Sequence, residues 1–133
     1  MSEQLIVVVN GRAEIEYRRN VALTEKQREY LERIDQQMDQ GITLGFEQID
    51  DPDKIQRAQY IAILLIKSIL EKQEQRIAAT CSYLAERLSD LKQIRAVTRV
   101  GGAIGIELVF DQDDNNQVLV EFTPAGNKPE NIH

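Results

Sequence analysis

The chain has 133 residues, of which 42% are hydrophobic and 29% charged, and a formal net charge of −6. A chain of this length suits one domain burying about 70% of the surface it exposes when unfolded, so disorder is not expected. The acidic balance excludes a nucleic-acid partner from the expectations, because phosphate affinity comes from clustered basic groups that release counterions.

Residues 5–9 are aliphatic throughout, and after Asn10-Gly11 the residues Ala13, Ile15 and Tyr17 alternate with Arg12, Glu14 and Glu16. This predicts a β-hairpin on a type I′ turn, whose two central residues both take positive φ, with a second strand that keeps one wet face. The first strand, apolar on both faces, belongs inside a sheet. Thr24 and Gln27 read as a capping box for a helix ending near Gln40, with Gly41 as the left-handed residue after its last turn. Its apolar stripe, Tyr30, Leu31, Ile34 and Met38, is narrow. A connector with Gly45 and Phe46 leads to Asp51 and Pro52, which read as the cap and first residue of a second helix.

Nothing from Asp53 to Leu88 is Gly or Pro, and apolar residues recur there at three- and four-residue steps. The pattern predicts one helix over residues 52–88, or two nearly collinear ones. Such a helix would run roughly 55 Å, against a diameter of about 36 Å for a compact domain of this length. It must bend, with the polar stretch 71–76 as the expected place, or project beyond the domain. Near its middle, Ala62, Leu65, Ile66 and Ile69 form one stripe, while Tyr60, Ile61 and Leu64 point to nearly the opposite side. Both sides need cover. Either the sheet and the first helix enclose this helix within the chain, or Tyr60, Ile61 and Leu64 form a self-complementary contact between two copies. Burying those three side chains yields roughly 5–9 kcal/mol gross, against an association cost of about 4–15 kcal/mol, so a dimer needs further surface as well.

Residues 94–100, 104–110 and 118–122 are apolar runs separated by Gly101-Gly102 and by the polar stretch 111–116, which predicts an antiparallel meander. The expected fold is α+β: one domain over residues 1–123, with about five antiparallel strands packed on two helices, the second very long or bent. Residues 124–133 read as a flexible polar tail.

Few residues invite chemistry. Asp111, Asp113 and Asn115 match three ligand positions of a calcium loop, but Asn116 stands where its glycine is needed and Phe122 where its bidentate Glu is needed. No metal is expected. Gly101, Gly102 and Gly105 precede a strand rather than a helix, which argues against a dinucleotide loop and for a tight turn that a ligand or partner can approach closely. Cys81 lies on the core stripe, away from basic neighbours, and reads as a small buried hydrophobe. His133, the single histidine, is the last residue, which removes Ser-His and Cys-His schemes. Glu32, Asp35 and Asp39 share one side of the first helix with Arg28 and Arg33 nearby and read as a solvated face, while Asp50, Asp51 and Asp53 suit the positive end of the second. The basic clustering is Arg12, Arg18 and Arg19 with Arg95 and Arg99 on a later strand, a candidate face for an anionic ligand or an acidic partner segment.

A single cysteine, no leader pattern, and an apolar run at 60–66 far short of the ~20 residues that span a bilayer predict a cytoplasmic protein without a membrane partner. With no cofactor motif, the expected role is that of a non-enzymatic accessory or regulatory protein acting through protein contacts as a homodimer. The alternative is a small-molecule or anion-binding module with its pocket between the long helix and the sheet.

Overall fold

A computed structural model describes residues 4–19, 22–110 and 117–122, the last six by their backbone. The calcium-like loop and the polar tail of the sequence reading lie outside the described residues.

Strand β1 (Gln4–Val9) turns through Asn10 and Gly11, at φ 52° and 82°, into β2 (Arg12–Arg18). A two-residue turn with positive φ at both positions matches the twist of the strands it joins. Asn10 has a second role. Its backbone N–H donates to the Ala96 carbonyl at 2.8 Å, its Oδ1 accepts the Thr98 N–H at 2.9 Å, and its Nδ2 donates to Thr98 Oγ1 at 3.1 Å. This fastens β1 beside β5 (Leu91–Thr98), and the two run parallel, with Ile6 opposite Gln93 and Val9 opposite Ala96. β6 (Ile104–Phe110) and β7 (Gln117–Phe122) extend β5 as the expected antiparallel meander. The strand order is β2-β1-β5-β6-β7, a mixed sheet rather than a wholly antiparallel one. β1 is interior in the sheet as expected, with Leu5, Val7 and Val9 buried on one face and Ile6 and Val8 half-buried on the other. A parallel neighbour requires a crossover, and here the crossover between β2 and β5 carries the helices.

Within that crossover, α1 (Glu25–Met38) starts at the expected capping box, Thr24 Oγ1 accepting the Gln27 N–H at 3.1 Å and Gln27 Oε1 accepting the Thr24 N–H at 2.8 Å. A small hairpin follows where the sequence reading has only a connector: β3 (Ile42–Leu44) and β4 (Glu47–Ile49), turned by Gly45 at φ 66° and Phe46. The next helix, α2 (Lys54–Leu70), is capped by Asp53 rather than Asp51, with Gln56 completing a second reciprocal box.

The predicted long helix is two helices folded back on each other. α2 stops at Leu70 and α3 (Glu74–Arg87) starts four residues later. Between them Lys72 sits at φ 59°, Gln73 N–H donates to the Ser68 carbonyl at 2.9 Å and Lys72 N–H to the Ile69 carbonyl at 3.2 Å. These paired bonds around a left-handed residue form a Schellman stop, which satisfies carbonyls the helix end would otherwise orphan. Arg76 braces it, its Nε donating to Ser68 Oγ at 2.7 Å and its Nη2 pairing with Glu71 at 2.6 Å. The expected collinear course is thereby corrected, and the expected break falls inside residues 71–76.

The hairpin sets its apolar surface on the sheet. Leu5, Val7, Ile94, Ala96, Ile106 and Leu108 on one sheet face are buried in the same core as Ala58, Ala62, Leu65, Ile66 and Leu84. Helix α1 covers the other side of α2. Ile61 is 2% exposed, and Tyr60 and Leu64 are half-buried around a small cavity they share with Tyr30, Ile34 and Met38. Of the two covers open to that stripe, the chain itself supplies one. Among the described residues, no helix is long and apolar enough to cross a membrane.

A left-handed conformation costs a non-glycine residue about 1–2 kcal/mol, part of which a glycine returns as chain entropy. Lys72→Gly should therefore stabilise the protein by about 0.5–1 kcal/mol, a rise of about 2–4 °C in melting temperature, whereas Lys72→Val should lower it. Thermal unfolding followed by circular dichroism checks this, and a lower melting point for the glycine variant would contradict the turn.

Candidate functional site

Among the described residues, a charged junction among the three helices and the sheet face turned away from them gather residues able to meet a ligand or partner.

Folding the helix back brings the start of α2 and the end of α3 to one place, against the middle of α1. There Asp35 accepts from three side chains: the Tyr83 hydroxyl at 2.5 Å and Arg57 Nη1 at 3.2 Å on Oδ1, and Arg87 Nε at 3.0 Å on Oδ2. Arg57 is spent further, with Nη2 on Asp39 at 2.5 Å and Nε on the Pro52 carbonyl at 3.1 Å. The Arg87 guanidinium lies 5.6 Å from the Tyr83 ring centroid, within cation–π range. Burial by itself would raise the Asp35 carboxyl, but the Tyr83 hydroxyl and the Arg87 and Arg57 guanidiniums outweigh it and hold the group below its ordinary range. Burial and the adjoining Asp35 carboxylate together push the Tyr83 phenol up. At neutral pH the junction therefore holds an ionised Asp35 and a neutral Tyr83 that donates to it. A cleft of about 450 Å3 opens beside it, lined by Asp35, Lys54, Arg57, Tyr83, Arg87 and Leu88.

The sequence reading places Asp35 and Asp39 on a solvated face with Glu32; of the three, Glu32 alone is simply exposed. Arg57, Tyr83 and Arg87 carry no local signal of their own. What could have found them is mirror spacing, since Arg57 and Arg87 stand fifteen residues either side of Lys72 and Ser68 and Arg76 four either side.

The arginines expected on one anion-binding face are divided. Arg19 turns inward at the end of α3, donating to the carbonyls of Ala85 at 2.6 Å, Leu88 at 3.2 Å and also Leu91, and so acts as a helix cap. Arg12 and Arg18 are exposed on β2 and Arg95 on β5. Arg99 lies across Gly105, where an added Cβ would come within 2.8 Å of its Nη2. The approach that glycine allows at Gly105 is thus made by the chain's own guanidinium. Gly101 and Gly102, both at φ 86°, form the expected tight turn, and a Cβ at Gly101 would meet nothing within 4 Å. Cys81 is buried, and burial pushes its thiol up to about 12, far from a reactive thiolate.

The outer sheet face is set by the pleat, which alternates residues between sides. Opposite the core it carries Ile6, Gln93 and Val109 in one cross-strand row, Val8, Arg95 and Glu107 in the next, and Val97 facing Gly105 beyond. Val97 is 50% exposed and Arg95 is exposed, while Ile6, Val8 and Val109 keep part of their surface. The β2 edge is guarded differently. Arg12, Glu14, Glu16 and Arg18 line it, and a register shift opposite Val7 and Val8 leaves Glu14 bulged, both devices that discourage strand addition.

Because the Asp35 pKa is lowered on folding, its contribution to stability is fully present above the ordinary carboxylate range and is lost as pH falls through the lowered value. Asp35→Asn should cost about 2 kcal/mol at neutral pH, and the gap between variant and parent should close as pH drops below about 4. Chemical denaturation across pH tests this; a gap that persists in acid would show that the charge of Asp35 does not matter. The chain matches no protein-family model, no curated protein and no solved structure.

Proposed function

We propose that the protein is a non-enzymatic accessory or regulatory module that works through protein contacts as a homodimer, with the outer sheet face as the surface between copies. The observation that carries this reading is a sheet whose outer face bears Ile6, Val8, Val97 and Val109 with no helix over it among the described residues. A mostly antiparallel sheet can leave one face to water, but that face is then ordinarily polar, so aliphatic residues gathered on it mark a contact surface.

Three points favour a second copy as the cover. Five strands about 4.8 Å apart and about 22 Å long present roughly 530 Å2, so two copies would bury about 1,050 Å2, near the lower limit for a specific interface. The face also mixes signs: Arg18 and Arg95 share it with Glu16 and Glu107, an arrangement that can complement itself across a two-fold axis. The chain as a whole is acidic, with a net charge of −6, and this balanced patch adds little to the repulsion between two copies. Tyr60, Ile61 and Leu64, the first candidates for self-association, are buried or half-buried around the cavity they share with Tyr30, Ile34 and Met38, which leaves the outer sheet face as the more exposed apolar surface.

The test is light scattering of the parent and of Val97→Glu, a change on an exposed position that leaves the core untouched. The parent should show a dimer mass at micromolar concentration. The variant should be a monomer with unchanged circular dichroism, since a carboxylate in the contact should cost about 2–4 kcal/mol, weakening association some thirtyfold or more. A monomeric parent over that range, or a variant as dimeric as the parent, overturns the proposal.

A further inference from the structure

The cleft at the helix junction has donors to spare. Both oxygens of Asp35 are occupied, and Arg57 is committed to Asp35, Asp39 and a carbonyl. Arg87 uses only its Nε in a hydrogen bond, leaving the end-on fork of Nη1 and Nη2 without an acceptor among the described residues. Lys54, exposed on the first turn of α2, makes no ion pair among the described residues. The lining thus holds three cations and one carboxylate, and with Asp39 paired to Arg57 at its edge one positive charge is still in excess, on a chain whose net charge is −6. An arriving anion would meet donors rather than bare carboxylate oxygens, because every Asp35 oxygen already has its proton donor.

We propose that this cleft binds the phosphate group of a small phosphorylated molecule. A guanidinium fork takes two phosphate oxygens at once, and an ammonium beside it answers the second charge, which a monoanionic carboxylate would leave unmet. A volume of about 450 Å3 exceeds the needs of inorganic phosphate and lies within the range of small-molecule pockets, so the group would arrive carrying a body. Tyr83 and Leu88 form the apolar part of the wall.

Thermal unfolding in inorganic phosphate, compared with chloride and acetate at equal ionic strength, is the first measurement. A ligand selective for the folded state raises its melting temperature in a saturable way. Phosphate should do so and acetate should not. Lys54→Glu should weaken the response at least tenfold without lowering the melting temperature in chloride, because an acidic residue suits the first turn of a helix. Lys26→Glu, the same charge inversion in the first turn of α1 and outside the cleft, should keep the full response. No response in the parent, an equal response to acetate, or equal losses in both variants would overturn the site.

Discussion

The left-handed turn at Lys72 decides where most of the molecule can be. A straight helix of the length that the apolar pattern allows would overshoot the domain, leaving one end without a sheet beneath it. Reversing the chain in three residues halves that length and doubles the apolar width, giving a helical layer that buries the inner faces of β1, β5 and β6. The turn also determines the chemistry at the far end of the layer, because it brings Arg57 and Arg87 together on Asp35. Removing the reversal would separate those cations by most of the length of two helices.

How much of this the sequence discloses depends on whether the cause is local. The Asn10-Gly11 hairpin, the Thr24–Gln27 cap, the C-terminal meander and the buried character of Cys81 follow from residues within a few positions of one another, and each is legible. The reversal at Lys72 is not, because the residue that usually marks a left-handed stop is glycine. Here a lysine takes that conformation, held by backbone bonds to Ser68 and Ile69 and by Arg76. Strand direction is hidden for a different reason. Alternation of side chains reports which face a residue takes, but whether β5 runs with or against β1 depends on where a crossover of many elements returns.

The charged residues show the same division. Asp35, Glu32 and Asp39 look equivalent on a helical wheel, yet Asp35 alone meets α2 and α3 together and becomes the acceptor for both. Arg19 looks like a member of a basic patch but ends as the donor to three carbonyls around the close of α3. In both cases the partner is a group far along the chain, and pairing across that distance leaves no trace in local spacing. The outer sheet face is the opposite case: its strands are legible as apolar runs, and only the juxtaposition of their residues needs the fold.

The Asn10 clamp bears on how the protein reaches this structure. Its bonds to Ala96 and Thr98 join positions up to 88 residues apart, and the parallel pairing of β1 with β5 spans a comparable distance. The β1–β2 hairpin and the α2–α3 pair are local and can form within microseconds, but the sheet cannot be completed until the whole crossover has been traversed and closed. The late event is therefore the joining of two preformed halves, an N-terminal hairpin and a C-terminal meander. Until they meet, β1 and β5 each present a bare apolar edge, so the interval before the clamp closes is when this chain is most exposed to joining the wrong strand.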